Sequence, residues 1–295
     1  GARLARLLAP VPCLGSTVHD VGEGGRWMTH AYRLTDGLSE FTSNVSREGV
    51  DRYVRLGAVP AAKCAYVPNG INLRRFRRDP AARAAVRASL GVDKGFVWLA
   101  VGRFTEQKDF PNLFSAVASR GVRSRLWMVG DGELRAELEA LAVRLGIADD
   151  VTFLGRRSDV ADLMSAADGY VLSSAWEGLP MVLLEAAATG LPAVATAVGG
   201  VPQIVRPDTG RLVPAGDPAA LAAAMSEVEE LCPERLREMG ELGRAAVMTT
   251  FDVDAVVTRW EDIYRVVGCC RDGGARRRAR AFDGAALGAL VDGLG

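Results

Sequence analysis

VWLAVGRFTEQKDF, residues Val97–Phe110, opens with five apolar residues in a row, turns at Gly102 and starts a helical pattern at Phe110. An unbroken apolar run of this length, without alternation, is what a strand buried on both faces looks like. LWMVG, residues Leu126–Gly130, repeats the pattern. Working outward, further strand candidates are Ser16–Val18, Leu38–Thr42, Cys64–Val67, Val151–Phe153, Gly169–Leu172 and Ala193–Ala195. Helical patterns lie between them at Met28–Thr35, Ser46–Leu56, Pro80–Leu90, Phe110–Ala118, Leu134–Leu145, Val160–Ala166 and Met181–Ala188, with Ala219–Glu230 after the last strand. Strands alternating with helices predict an α/β chain built of βαβ units around parallel sheets.

Two blocks are expected. Five strand candidates between Val97 and Ala195 suffice for one complete Rossmann-like unit, whereas the segment before Pro68 has three. PNGINLRRFRRDP between them, rich in Pro, Gly, Asn and Arg, has turn chemistry and no apolar period, and reads as an interdomain linker. The basic run Arg74, Arg75, Arg77 and Arg78 within it reads as solvated linker in preference to an anionic-lipid contact, because no apolar face accompanies it. The expected domains are 1–72, part of a first domain; 73–250, a complete second domain; 251–267, an amphipathic helix carrying Trp260, Ile263 and Tyr264; and 268–295, a Gly/Arg-rich tail expected to be poorly ordered.

The bulk properties narrow the function classes. Lys plus Arg and Asp plus Glu are 36 each, so no net charge argues for nucleic acid as a partner. No stretch of about 18 or more apolar residues predicts a spanning helix. Five cysteines without paired spacing suggest neither a zinc site nor a disulfide framework, and fit a reducing, cytoplasmic setting. With only His19 and His30, a multi-histidine metal site is not expected.

The strongest chemical signal is SSAWEGLPMVLLEAAATGLP, Ser173–Pro192. Pro180 suits the first turn of a helix and Gly190 its C-terminal cap. The free amides near Met181 and Val182 would cradle an anion such as a diphosphate. Glu177 in the preceding loop and Glu185 within the helix would repel that anion and are better suited to accept hydrogen bonds from sugar hydroxyls. The plainer alternative is a solvated helix start with two surface glutamates. Arg103 and Lys108 follow a strand at the carboxyl edge, where open parallel sheets bind ligands, and two cations there can neutralise a diphosphate without a metal; the alternative is two ordinary surface cations. Gly130, Asp131 and Gly132 give another backbone approach, and Gly155 and Arg156 follow a strand with Ser158 as an N-cap candidate; both fit turn chemistry equally well. Gly199–Gly200 reads as a mobile corner, more often structural. His19 ends an apolar strand where it can meet a ligand, although a lone histidine is more often structural, as His30 is taken to be.

Together these residues resemble the group one, family-four retaining glycosyltransferases with the GT-B fold. The order is STVHD, TSNVSREGVDRY, VPNGINLRRF, VGRFTEQKDF, VGDGEL, VTFLG, EGLPMVLLE and VGGVP, then the late helix with Trp260 and Tyr264. The resemblance implies that Gly102, Arg103 and Lys108 hold a donor diphosphate and that Glu185 binds the nucleotide ribose. Glu177, with the backbone of Gly178, Leu179, Met181 and Val182, would address the transferred sugar and the phosphates. Gly155 and Arg156 would contact the base. His19 would be the active-site histidine across the cleft, so the catalytic candidates are His19 and Glu177. The late helix would cross back to the first domain. The implied activity moves a hexose-type sugar from a nucleotide-diphosphate sugar to a glycan or lipid-linked acceptor, in exopolysaccharide, capsule or glycolipid synthesis. No metal or other cofactor is expected, and neither is a nucleic-acid partner; peripheral association at the inner membrane face is the one membrane contact the resemblance allows.

The family pattern opens with a strand and a glycine-rich loop that nothing before Gly15 supplies, so about 90–100 further residues are expected upstream of Gly1. Gln203 stands where many relatives carry Glu, and Asn72 where they often carry Asp. A truncated, non-catalytic nucleotide-sugar-binding protein, or a sugar-nucleotide epimerase or phosphorylase on the same fold, are the competing readings.

Overall fold

The structure, a computed structural model, describes residues 2–9, 11, 13–19, 25–120 and 124–269. It divides into two compact units, one of residues 1–70 and 250–295 and one of residues 71–249. The expected tail lies outside the described residues from position 270 on, while Gly268 and Cys269 still belong to the preceding helix.

The first unit holds α1 (Ala2–Ala5), β1 (Gly15–Val18), α2 (Gly25–Thr35), β2 (Phe41–Asn44), α3 (Arg47–Arg55) and β3 (Cys64–Tyr66). Its three strands pair in parallel in the order β1-β2-β3. The strand expected at Leu38–Thr42 begins three residues later, because Asp36–Leu38 forms a tight helical turn. All four β2 residues are buried, and three are polar. Thr42 accepts from Arg3 at 2.7 Å, Ser43 donates to Thr17 at 3.0 Å, and Asn44 Oδ1 accepts from the Ser46 amide at 3.0 Å. Side-chain partners pair most of this strand's polar atoms, Asn44 Nδ2 being the exception, and a search for apolar runs cannot see them.

The second unit starts at Ile71 and holds α4 (Pro80–Ser89), β4 (Val97–Val101), α5 (Phe110–Ser119), β5 (Arg125–Val129), α6 (Arg135–Arg144), β6 (Val151–Gly155), α7 (Val160–Ala166), β7 (Gly169–Leu172), α8 (Met181–Thr189), β8 (Ala193–Thr196), β9 (Gly210–Val213), α9 (Pro218–Glu229) and α10 (Pro233–Thr250). The final helix, α11 (Val253–Cys269), belongs to the first unit, where Ile263 and Trp260 pack with Phe41, Ala65 and Val67.

In the second unit the sheet is six-stranded, ordered β6-β5-β4-β7-β8-β9, with every pairing parallel. Counted within the unit this is 3-2-1-4-5-6, so the winding reverses between β4 and β7. Val97, Trp98, Leu99 and Ala100 are fully buried, as the unbroken run predicts. Asp–Pro pairs start two helices: Asp79 accepts from the Ala81 and Ala82 amides before α4, and Asp217 from the Ala220 amide before α9.

Three elements, α1, β9 and α10, have no counterpart in the sequence reading. β9 is GRLV, an edge strand whose middle residues are partly or fully exposed, so it carries no apolar run. α10 contains Gly240 and Gly243, which look like helix breakers. A Cβ on Gly240 would lie 2.0 Å from the Gly190 carbonyl oxygen, so this glycine lets α10 press against the end of α8. The linker reading also changes: Ile71 and Phe76 are buried in the second unit, and Arg244 of α10 donates to the Phe76 carbonyl at 3.0 Å and to that of Ala188.

Candidate functional site at a topological switch point

β4 and β7 are neighbours with their crossovers on opposite sides, which leaves a crevice at their carboxyl ends. The two loops that follow them meet there. After β4, a short helical turn over Glu106–Lys108 ends at Asp109, which has φ of 43° and caps α5. Asp109 is the only described non-glycine residue in the left-handed region, where a short polar side chain is tolerated best. This turn brings Lys108 back over Gly102, where an added Cβ would touch the Lys108 stem at 3.1 Å.

After β7 comes Ser173–Pro180. Lys108 Nζ lies 2.5 Å from Glu177 Oε1, with both side chains largely buried. Ser174 Oγ donates to the same oxygen at 2.7 Å, while Gln107 Nε2 stands 3.5 Å from Oε2. The backbones are joined as well: Ala175 N donates to the Gln107 carbonyl at 2.8 Å, Gln107 Nε2 to the Trp176 carbonyl at 3.1 Å, and Ser173 Oγ to the Lys108 carbonyl at 2.8 Å. A buried ion pair holds when further hydrogen bonds satisfy it, and Ser174 supplies one. Oε1 is thereby fully engaged, and Oε2 keeps acceptor capacity.

The loop after β8 supports this arrangement. Thr196 Oγ1 donates to the Ser174 carbonyl at 2.6 Å, and Gly200 N to the Gly178 carbonyl at 2.7 Å. Gly199 has φ of 54°, and a Cβ there would fall 1.9 Å from the Glu177 carbonyl oxygen. The Gly199–Gly200 corner is therefore a fixed close approach and not a mobile one. Gly130 plays the same part beside β4: its φ is 135°, and a Cβ would lie 1.8 Å from the Gly102 carbonyl oxygen.

α8 begins at Met181 with Pro180 as N-cap and ends on Gly190 at φ of 77°. Leu183 and Leu184 amides reach the Pro180 carbonyl, while the amides of Met181 and Val182 are first-turn donors with no intrahelical acceptor. Leu179 is buried, so only its backbone can face a ligand. Glu185 is half-buried, and burial pushes its carboxyl up to about 7 against the opposing pull of Arg75. Tyr170 of β7 is fully buried and donates to the Val101 carbonyl at 3.3 Å; burial, then the charges of Glu177 and Glu185, raise its phenol. Tyr170 thus senses both carboxylates.

The structure brings Gly102, Lys108, Glu177 and Gly178 into one cluster. Arg103 and Arg156 are both exposed, and the Arg156 guanidinium lies 3.9 Å from Asp131. Gly155 has φ of 66° and accepts from the Gly130 amide at 2.8 Å. Ser158 is not the cap of α7; that position is Asp159, whose carboxylate is bound by Arg157 at 2.5 Å. His19, in the first unit, is exposed just beyond β1. Sequence reasoning passed over Gln107, Ser174 and Tyr170, and it read Arg75, whose charge acts on Glu185, as solvated linker. The first two flank Lys108 and Glu177 closely enough to have been noticed; Tyr170 lies in an apolar strand and gives no signal.

Residues 95–230 match the family model described as glycosyl transferases group 1. The D-inositol 3-phosphate glycosyltransferase of Streptomyces griseus is 35% identical over 281 residues, covering 85% of this chain and 58% of that protein. The chain belongs to the group 1 glycosyltransferases. Another member, the N-acetyl-alpha-D-glucosaminyl L-malate synthase of Bacillus anthracis, is 36% identical over 64% of this chain and 50% of its own length. The chain thus spans between half and three fifths of these curated relatives. Among solved glycosyltransferase structures, Anabaena HepE in complex with UDP shares the fold at a TM-score of 0.83 and 24% identity, over 90% of this chain and 75% of that one. Sucrose-phosphate synthase from Thermosynechococcus elongatus superposes at 0.75 with 27% identity, over 86% and 68%. The mixed α/β fold with parallel sheets is that of GT-B glycosyltransferases.

Proposed function

We propose that this group 1 glycosyltransferase chain binds a nucleotide-diphosphate sugar in its second unit and serves a retaining transfer of a hexose-type sugar to a glycan or lipid-linked acceptor, in exopolysaccharide, capsule or glycolipid synthesis. The observation that carries the reading is the Lys108–Glu177 pair at the switch point between β4 and β7. A cation, a carboxylate whose Oε2 has only the long contact from Gln107, and the first-turn amides of α8 belong to the loops and helix start at the edge where such folds take ligands. Charge develops on the leaving diphosphate during transfer, and Lys108, Arg103 and those amides all favour negative charge. In this reading Glu177 Oε2 accepts a hydroxyl of the transferred sugar, and Glu185 one of the ribose. No step calls for a metal or other cofactor.

The relatives support a nucleotide-sugar donor and an anionic or lipid-linked acceptor. HepE was solved with UDP-glucose. The acceptors in the relatives' names are inositol 3-phosphate, malate and a GlcNAc-diphosphoundecaprenol. Among the described residues no helix is long and apolar enough to cross a membrane. A cytoplasmic protein, associated peripherally with the membrane face that carries its acceptor, fits this reading.

The test is a thermal-shift screen of nucleotide sugars on the full chain. A donor at about 100 times its Kd should add roughly 2.7 kcal/mol to the folded state. Glu185→Ala should weaken that binding, whereas Lys108→Ala should mainly lower turnover. If no nucleotide sugar stabilises the chain, or both variants behave as wild type, the assignment fails. Binding with no transfer, even with upstream coding sequence restored, would mark a non-catalytic binder; a changed sugar nucleotide without acceptor would mark an epimerase.

A further inference from the structure

The carboxyl edge of the three-stranded sheet carries a second concentration of charge. Tyr66 ends β3 and is buried. The Arg47 guanidinium, at the start of α3, lies over the Tyr66 ring at 4.9 Å from its centroid. The charge of Arg259, in α11, acts on the same phenol. Its residue is only 9% exposed, and its Nη1 is buried with no hydrogen-bond partner. Among the described residues Arg259 forms no ion pair, and the charges that act on it are those of Tyr66 and Arg47. At the neighbouring strand end, Asn44 Nδ2 is another buried donor without an acceptor.

Such an arrangement is unstable by itself. An ion taken out of water without a counter-charge, as Arg259 is, is penalised by several kcal/mol. Tyr66 does not supply the missing charge, since burial holds its phenol at about 12 despite both arginines. Among the described residues Lys108 is matched by Glu177 and Arg120 by Glu229, and buried Arg3, which has no carboxylate, donates to Ser16, Thr42 and the Tyr32 carbonyl. Guanidinium groups present paired N–H donors that fit the oxygens of a phosphoryl group. Arg47 is exposed, so the cluster opens to solvent on its side.

We propose that Arg259, Tyr66 and Arg47 form an oxyanion site at the carboxyl edge of the β1–β3 sheet, and that it takes the phosphoryl group of the acceptor. The acceptor assignment rests on the transferase reading above; the anion site stands on the first unit's own residues. Its counter-charge arrives with the ligand, which couples acceptor binding to relief of a buried charge.

The test is calorimetric titration of the full chain with inorganic phosphate at constant ionic strength. Because the second unit can also bind phosphate, the titration is run on wild type, Lys108→Met, Arg259→Met and Arg259→Lys. Phosphate binding should persist in Lys108→Met and fall by about tenfold or more in Arg259→Met, the loss of one charge-assisted contact. Arg259→Lys keeps the charge without the fork and should fall between them. L-malate, a dicarboxylate probe, should bind more weakly than phosphate. Should Arg259→Met fail to fold, Arg47→Met, an exposed change, should still weaken phosphate several-fold. Phosphate lost in Lys108→Met but kept in Arg259→Met overturns this inference and leaves the donor site standing. A phosphate site that survives in Lys108→Met, in a chain that binds no nucleotide sugar, supports the inference and removes the donor reading.

Discussion

The two units use the same βαβ chemistry and differ in how they treat a buried charge. In the second unit the order of strands reverses between β4 and β7, two loops meet, and Lys108 finds Glu177. Among the described residues of the first unit the strands run in sequence, β1-β2-β3, and Arg259 forms no ion pair. A charge that is paired within the fold is preorganised machinery, and its removal damages the fold. One left unpaired costs stability, so its removal should spare the fold and, on the inference above, damage anion binding.

The largest expected effect tests the paired side. Glu177→Ala leaves Lys108 buried without its partner and should destabilise the second unit by roughly 3–5 kcal/mol in chemical unfolding. The double change Lys108→Met/Glu177→Gln should cost less than the sum of the two single changes, since both charges leave together. Additive costs would show that the pair is not a unit. Gly130→Ala comes next: a methyl group at φ of 135° and 1.8 Å from the Gly102 carbonyl oxygen should cost about 2–3 kcal/mol and loosen the loop that carries Lys108. An unchanged unfolding midpoint would mean that the close approach is not needed.

A smaller effect concerns Glu185. Its folded carboxyl, raised to about 7, sits above the unfolded value near 4.3, so ionisation opposes folding. The cost is absent at low pH, grows as pH rises between those two values and is complete above about 7. Glu185→Gln should therefore match wild type near pH 4 and exceed it above pH 7 by on the order of 1–2 kcal/mol, the shift being discounted for partial exposure. A stability difference that does not change with pH would refute this. On the unpaired side, Arg259→Met should leave the thermal midpoint unchanged or raise it, the opposite sign to Glu177→Ala. A fall as large as that of Glu177→Ala would erase the contrast between the units. The smallest effect is Ser158→Ala, which should stay within about ±0.5 kcal/mol because Asp159 is the cap of α7.

Much of the fold was legible because it rests on local patterns. VWLAV and RLWMV read as strands because short apolar runs bounded by turn residues fit a strand buried on both faces. Asp79–Pro80 and Gly190 mark helix ends through backbone geometry that is the same in any protein. The illegible parts were those whose partners lie far off in sequence. β2 is polar, yet buried, because Arg3 and Thr17 reach it; α10 tolerates Gly240 because Gly190 needs the space. Ile71 and Phe76 looked like linker until the second unit closed over them.

The site divides along the same line. The residue types were set by the sequence: Arg103 and Lys108 after one strand, and Glu177 and Glu185 around a helix start, with the family order that links them. Only the tertiary structure decided that Lys108 and Glu177, 69 residues apart, share one buried contact while Arg103 and Arg156 stay in solvent. It also decided that Arg259 is buried beside Tyr66 without a carboxylate. Periodicity and capping are properties of a few consecutive residues and survive in the sequence. Charge pairing and burial depend on which strand ends become neighbours, and that follows from the order of strands in the sheet.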